Sequence, residues 1–242
     1  MARTAHGSGQ HSDHQHQGSI VLDLGWRYDL EVWLFDTFVV RGKVSEVRRQ
    51  VLELARISTG SSLLDVGCGT GSLAIAAARA TSGSGRVVGI DPAPRQLDRA
   101  RSKARRAGLD VDFQQGVIED LPFPDASFDV VTSTLMMHHL PAEQRQSGLA
   151  EIRRVLKPSG RLVVADFDYA DDPGADDSGG HTSKAAGSSP AKNGYGGTAA
   201  LPALLTESGF AIVQRAQVSF TKPHRGWSGV TVLAGQADRP TA

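Results

Sequence analysis

The stretch Ser62-Leu-Leu-Asp-Val-Gly-Cys-Gly-Thr-Gly71 decides the fold of this chain. Leu63, Leu64 and Val66 form a short apolar run, which is typical of a strand buried on both faces of a parallel sheet. Glycines that can adopt positive φ follow the run, and an alanine-rich segment after Ser72 favours a helix. The order of strand, glycine turn and helix predicts a ligand site at the carboxyl end of a parallel sheet.

The spacing of the glycines bears on which ligand binds there. A dinucleotide fingerprint requires a glycine where this chain has Ser72, so Gly-x-Gly-x-x-Gly is not met. The segment Leu64-Asp-Val-Gly-Cys-Gly-Thr-Gly71 instead resembles the first motif of the class I S-adenosylmethionine-dependent methyltransferases. Asp65 is a carboxylate suited to the ammonium of the cofactor's methionine part, directly or through water. Alternatively, Asp65 only ties the turn to nearby backbone amides.

A second acidic residue ends the next predicted strand, Arg86-Val-Val-Gly-Ile-Asp91. Asp91 follows Gly71 by about twenty residues, and a carboxylate at that position accepts hydrogen bonds from both ribose hydroxyls of a nucleoside. Pro92 then fixes the backbone just past the strand, and a helix is predicted from Pro94 to Ala107.

Residues 114–131 resemble the family segment that borders the adenine ring and leads into the fourth strand. The acidic residue that the family usually carries is replaced here by Val117, so the adenine amino group loses its expected acceptor. Glu119 or Asp120 can substitute for it, and the backbone of Ile118 can still meet the ring. The replacement of the acidic residue by Val117 therefore bears on the affinity for the cofactor.

Two adjacent histidines follow the fourth strand, which is predicted to end at Ser133. His138 and His139 lie in Thr134-Leu-Met-Met-His-His-Leu140, and many relatives carry His-His-Leu at this position. An imidazole titrates near neutral pH, so either histidine is a candidate base for the acceptor group. The alternative is a structural histidine that bonds to the backbone or shapes the pocket.

A third resemblance concerns the start of the chain. Trp26-Arg27-Tyr28-Asp29 is similar to a Tyr-Asp pair in the ubiquinone and menaquinone biosynthesis branch of the methyltransferases. This implies that Tyr28 reaches the cofactor, although a Tyr packed with its hydroxyl at the surface is equally compatible with the sequence. The predicted cofactor-binding residues are Tyr28, Asp65, Gly67, Cys68, Gly69, Gly71, Asp91, Pro92, Val117, Ile118, Glu119 and Ser133.

The chain of 242 residues is predicted to form one α/β domain with appendages. We expect a disordered His-rich tail (1–19), an N-terminal helical cap (20–57), a cofactor-binding core (58–167), a disordered insertion (168–197) and the C-terminal part of the same core (198–242). The resemblance implies a Rossmann-like, doubly wound sheet of seven mostly parallel strands, with helices on both faces and an antiparallel last strand.

Composition narrows the class of protein. Lys plus Arg and Asp plus Glu number 26 each, so the charge gives no reason to expect nucleic acid as a partner. Acidic and basic residues interrupt the apolar segment 20–40, so no integral membrane segment is expected. The single cysteine, Cys68, excludes an intrachain disulfide, and we expect a cytoplasmic protein. The histidines of the tail lack a Cys or acidic partner, so no metal site is predicted.

The predicted function is S-adenosylmethionine-dependent methyl transfer to an O, N or C centre of a small, apolar acceptor, without a metal. Two alternatives remain open at this point: a non-catalytic binding protein with the same fold, and a dinucleotide-dependent oxidoreductase. The sequence leaves the acceptor and the oligomeric state undetermined.

Overall fold

The computed structural model describes residues 43–81, 84–169, 200–224 and 227–237. The predictions for residues 1–42, Tyr28 among them, and for residues 170–199 lie outside the described residues.

The described part of the chain alternates helices and strands. Its helices are α1 (Lys43–Ala55), α2 (Ser72–Ala80), α3 (Pro94–Arg106), α4 (Ala142–Val155) and α5 (Leu201–Glu207). Its strands are β1 (Leu63–Val66), β2 (Val87–Asp91), β3 (Asp112–Gln115), β4 (Phe128–Thr134), β5 (Leu156–Tyr169), β6 (Phe210–His224) and β7 (Trp227–Ala237).

The seven strands form one sheet in the order β3-β2-β1-β4-β5-β7-β6. Strands β1 to β5 pair in parallel, and β7 runs antiparallel to both β5 and β6. The predicted fold class is therefore confirmed, including the antiparallel last strand. Because β1 lies between β2 and β4, the chain reverses its winding direction at β1, and such a switch point is where open α/β sheets bind ligands.

Apolar side chains cover both faces of the sheet. On one face α1, α2 and α3 contribute to a core that includes Val47, Ile75 and Leu97. On the other face α4 and α5 contribute to a second core that includes Ile152 and Leu205. Strands buried on both sides explain the continuous apolar runs in the sequence.

Two strand boundaries are set by pairing within the sheet. Strand β5 begins at Leu156, which pairs with Phe128 before a register shift, so the polar residues 157–160 lie inside the strand. The last two strands form an antiparallel hairpin, in which β6 continues to His224 and β7 begins at Trp227. Pairing between the two strands extends them beyond their apolar residues.

Candidate functional site

The glycine turn after β1 is held against β2 by backbone hydrogen bonds. Gly67, Gly69 and Gly71 have φ values of 71°, 52° and 74°, which are favourable for glycine and strained for other residues. The N–H groups of Gly67 and Cys68 both donate to the carbonyl of Ile90, at 2.9 and 3.0 Å. The turn is thereby fixed at the carboxyl edge of the sheet, beside the end of β2.

Asp91 faces this turn. Its Oδ2 accepts the N–H of Gly69 at 2.8 Å, and its Oδ1 accepts the N–H of Ala93 at 2.9 Å. Each of these carboxylate oxygens can accept more than one hydrogen bond. The orientation fits the expected role of Asp91 as the acceptor for two ribose hydroxyls.

Asp65 lies at the end of β1 and is almost completely buried. It accepts hydrogen bonds from Thr132 Oγ1, at 2.8 Å, and from the backbone of Ala74. Burial raises the pKa of Asp65 to about 7, the Thr132 and Ala74 bonds oppose this rise, and the nearby charge of Asp91 adds to it. Asp65 therefore does tie the turn to its surroundings, as its structural alternative predicts. A cation beside it would stabilise its charged form.

A small cavity of about 90 Å³ lies between α1 and the glycine turn, and Asp65, Gly67 and Gly69 line it. Arg48 of α1 also lines the cavity. The cavity can therefore accept a small polar group of either charge.

Two hydroxyls at the carboxyl end of β4 lack partners. Ser133 Oγ and Thr134 Oγ1 are buried and have no hydrogen-bond partner among the described residues, and Thr134 lines the cavity. Buried polar atoms are usually hydrogen-bonded, so unpartnered ones beside a cavity are what a ligand-binding site requires. Together with Asp65 and Asp91, they fit a cofactor that carries a ribose and an amino acid.

The backbone bends sharply where β4 ends. Leu135 has φ of 55°, a strained value for a branched residue, and its N–H donates to the carbonyl of Ala165 at 2.8 Å. Met136 then packs against Gly67, where a Cβ atom would lie 2.5 Å from Met136 Cγ. Gly67 is thus required for its φ and for this close approach.

The bend brings His138 to the end of β5. Its Nδ1 lies 2.7 Å from Asp166 Oδ1, and its backbone N–H donates to Asp166 Oδ2 at 3.0 Å. The N–H of Phe167 also donates to Asp166 Oδ1, at 2.8 Å, and Asp166 is fully buried. With the carboxylate of Asp166 as the acceptor, Nδ1 is the donor in this contact, and Nε2 is the ring nitrogen that does not contact Asp166.

His139 is placed differently, although its ring centre lies only 3.9 Å from that of His138. Burial lowers the pKa of His139 to about 4, the neighbouring His138 lowers it further, and Asp166 opposes the change. His139 is therefore neutral at pH 7 and is a weak base. Of the two histidines, only His138 contacts a carboxylate among the described residues.

Other predicted cofactor residues have evident structural contacts. Gly71 packs under Phe113, whose Cζ would lie 2.6 Å from an added Cβ atom. The Cys68 thiol is buried, and burial raises its pKa well above the ordinary value, which disfavours a reactive thiolate.

The adenine-side residues lie next to β2. Ile118 is buried against Gly148 of α4, and Val117 forms an isolated bridge with Asp120. The carbonyl of Pro92 accepts a hydrogen bond from Gln115. Glu119 is partly exposed. The roles of all four in cofactor binding stay predictions.

Sequence reasoning missed Asp166, Arg48 and Thr134. Asp166 directly follows the apolar run Leu162–Ala165, as Asp91 follows Ile90 at the end of a predicted strand, so the same pattern of a carboxylate after an apolar run was available as a signal. No local pattern distinguished Arg48 from its helix neighbours.

The described residues contain no helix that is both long and apolar enough to cross a membrane. They also contain no cluster of three or more His, Cys, Asp or Glu side chains arranged to hold a metal ion.

Comparison with known proteins places this geometry in context. Residues 63–160 match the methyltransferase domain family. The 27-O-demethylrifamycin SV methyltransferase of Amycolatopsis mediterranei is 34% identical over 61% of this chain and 54% of its own length. The demethylmenaquinone methyltransferase of Thermus thermophilus is 40% identical over 50% of this chain and 53% of its own length. The chain thus spans about half the length of the curated relatives it matches.

Solved structures agree on the fold. The N-methyltransferase NodS of Bradyrhizobium japonicum, in complex with S-adenosylhomocysteine, superimposes with a TM-score of 0.64 and 18% identity, covering 86% of this chain and 92% of NodS. The expected resemblance is confirmed: residues 63–160 match the methyltransferase domain family, and the fold is shared with a SAM-dependent methyltransferase of Aquifex aeolicus, with a TM-score of 0.59 and 22% identity over 78% of this chain and 88% of that one.

Proposed function

We propose that this chain transfers the methyl group of S-adenosylmethionine to a hydroxyl oxygen of a small acceptor. The observation that carries the choice of oxygen is the 2.7 Å contact between His138 Nδ1 and Asp166 Oδ1, at the carboxyl edge of the sheet beside the glycine turn.

The cofactor side of the proposal rests on Asp91 and Asp65. Asp91 would accept the ribose hydroxyls, Val117 and Ile118 would border the adenine, and Asp65 would hold the amino-acid end at the cavity. When bound, the cofactor supplies an electrophilic methyl group on a sulfonium. The protein has to align the acceptor with that methyl group and exclude water.

His138 supplies the base. Its Nε2 takes the proton of the acceptor hydroxyl as the oxygen attacks the methyl carbon. Asp166 holds the ring through Nδ1 and stabilises the imidazolium that forms. A neutral amine attacks with its own lone pair and does not need this help, whereas an alcohol or phenol must lose its proton. A fixed His–Asp pair therefore favours an acceptor that must lose a proton, such as an alcohol or phenol, over an amine.

The relatives' names are compatible with more than one acceptor. The Amycolatopsis protein is named for 27-O-demethylrifamycin SV, in which the missing methyl group is on oxygen, and the Thermus protein is named for demethylmenaquinone. The buried His138–Asp166 contact supports the oxygen acceptor for this chain.

The test is transfer of a labelled methyl group from S-adenosylmethionine to a panel of alcohols, phenols, quinols and amines, with the product identified by mass spectrometry. We expect label on an alcohol or phenol oxygen. His138→Gln and Asp166→Asn should each lower kcat, the former by about 10²- to 10⁴-fold, the range for a lost acid–base group. Binding of S-adenosylhomocysteine should be unchanged in both variants.

Asp168→Asn is the matched control for Asp166→Asn. Asp168 lies two residues further along β5 and accepts hydrogen bonds from Thr231 and Gln217. Its replacement should leave kcat unchanged. Full turnover by His138→Gln, or label on an amine with none on oxygen, would contradict the proposal. Binding of S-adenosylhomocysteine without transfer to any acceptor would favour a non-catalytic binding protein.

A further inference from the structure

We infer that Glu151 and Arg154 of α4 are positioning residues for the cofactor, because they hold the 116–127 loop in the shape that receives the base. The loop connects β3 to β4 and carries Val117 and Ile118. This inference rests on the proposed function, in which those two residues border the adenine.

Three residues of α4 face this loop from one side of the helix. Gly148, Glu151 and Arg154 follow one another at intervals of three, and residues so spaced are neighbours on the helix surface. Gly148 packs against Ile118, since an added Cβ atom would lie 2.5 Å from Ile118 Cγ1. The helix therefore contacts the loop at a residue proposed to border the adenine, and the next two residues on this face reach further along the loop.

Glu151 and Arg154 bind the two backbone groups of Leu121. Oε2 of Glu151 accepts the N–H of Leu121 at 3.0 Å, and Nη2 of Arg154 donates to the carbonyl of Leu121 at 2.9 Å. Arg154 also donates from Nη1 to the carbonyl of Phe123 at 2.7 Å and to Oδ1 of Asp125 at 2.8 Å. Hydrogen bonds of this kind, with a charged partner, are stronger than those between neutral groups.

The two side chains also hold each other. Arg154 donates from Nε to Oε1 of Glu151 at 2.8 Å and from Nη2 to Oε2 at 2.7 Å, which is a bidentate contact. The hydrogen bond from Arg154 is the main cause that lowers the pKa of Glu151, so Glu151 is charged at pH 7. A charged pair fixed in this way restricts the positions that the loop backbone can take.

The conformation of the loop bears directly on affinity. If a loop takes several conformations, the apparent affinity falls in proportion to the fraction that fits the ligand. Replacement of Arg154 removes its hydrogen bonds to the loop, whereas the backbone N–H groups of Ala126 and Ser127 still donate to carbonyls of α4. The variant should therefore fold with a loosened loop.

The experiment is calorimetry of the full chain with two probes. S-adenosylhomocysteine carries the adenine, and S-ribosylhomocysteine has the same sugar and amino acid but lacks the base. The wild type should bind S-adenosylhomocysteine more tightly. Arg154→Met keeps most of the side-chain length and removes the charge, so it should weaken S-adenosylhomocysteine binding by about ten- to hundredfold and leave S-ribosylhomocysteine binding unchanged. Glu151→Gln keeps an oxygen acceptor and should weaken S-adenosylhomocysteine binding by about three- to tenfold.

Arg153→Met is the matched control. Arg153 is adjacent to Arg154 on α4, and its guanidinium lies against Gly209, where an added Cβ atom would be 2.7 Å from Nη1. This variant should bind both probes as the wild type does. Hydrogen exchange of the ligand-free proteins gives a second readout. The amide of Leu121 should exchange faster in Arg154→Met than in Arg153→Met, while the amides of β1 exchange alike.

The outcomes separate this inference from the proposed function. If Arg154→Met binds S-adenosylhomocysteine like the wild type, or loses affinity for both probes equally, the positioning role is overturned while the methyltransferase proposal stands. Equal binding of the two probes by the wild type overturns the role as well, because the base then contributes nothing. If the wild type does not bind S-adenosylhomocysteine, both proposals are overturned.

A wild type that binds S-adenosylhomocysteine alone leaves the decision to the exchange of the Leu121 amide. Faster exchange in Arg154→Met, together with weaker S-adenosylhomocysteine binding, supports the positioning role. Unchanged exchange at Leu121 would overturn it.

Discussion

The buried carboxyl of Asp65 should make the stability of the ligand-free protein depend on pH in an unusual direction. Most native carboxyls have a lowered pKa, and they add stability as pH rises. Asp65 has its pKa raised from an ordinary 3.8 to about 7, chiefly by burial. Between these two values the folded chain holds a proton that the unfolded chain releases.

The direction and the size of the change in stability with pH follow from the difference between the folded and the ordinary pKa of Asp65. Stability from Asp65 is fully present below pH 3.8, is lost as pH rises toward 7, and changes no further above that. The loss amounts to about 4 kcal/mol, at 1.36 kcal/mol for each tenfold change in proton concentration. Asp65→Asn has no such titration. Its amide nitrogen also replaces one oxygen that accepts a hydrogen bond, so a constant offset in stability is expected as well.

Urea denaturation followed by circular dichroism, at intervals from pH 4 to pH 8, measures this directly. The free energy of unfolding of the wild type minus that of Asp65→Asn should fall by a few kcal/mol across the range, because the other titrating groups cancel in the difference. Asp98→Asn, at an exposed ion pair with Arg101, is the control and should run parallel to the wild type. Parallel curves for Asp65→Asn and the wild type would refute the buried-carboxyl reasoning.

Three further changes test other parts of the site. Asp91→Asn should weaken S-adenosylhomocysteine binding by about ten- to hundredfold, because it removes a charged acceptor; unchanged affinity in calorimetry would contradict the ribose role. Gly67→Ala should destabilise the chain by about 1–3 kcal/mol through its positive φ and its contact with Met136, and the loss measured in urea should be smaller in a Met136→Ala background. Ser133→Ala removes a buried hydroxyl without a partner among the described residues, so the free energy of unfolding should stay level or rise by about 1 kcal/mol; a clear fall would indicate that the hydroxyl is bonded.

Much of the cofactor side of the site could be predicted because its signals are local. The buried strand β1, the carboxylate of Asp65 near its end and the glycine turn lie within ten residues of each other. Asp91 is a second carboxylate at the end of the next strand, β2. The residue type itself indicates the backbone conformation at Gly67 and Gly69, since positive φ favours glycine. The positions of Asp65 and Asp91 therefore followed from sequence, although the pKa of Asp65 did not.

The acceptor side could be predicted only in part. The sequence placed His138 and His139 at the cleft edge but gave no reason to choose between them. The choice comes from Asp166, which lies 28 residues further along the chain and meets His138 because β4 and β5 are neighbours in the sheet. A contact across such a separation depends on strand order and on the bend at Leu135, neither of which a local pattern encodes.

The sequence alone determined the fold class and the carboxyl edge at which the site lies, because strand, turn and helix signals act over a few residues. The tertiary structure decided which side chains share that edge. It brought Arg48 of α1 into the cavity, joined His138 to Asp166, and raised the pKa of Asp65 by excluding water from it. These properties arise from packing between distant segments, and they exist only once the helices cover the sheet.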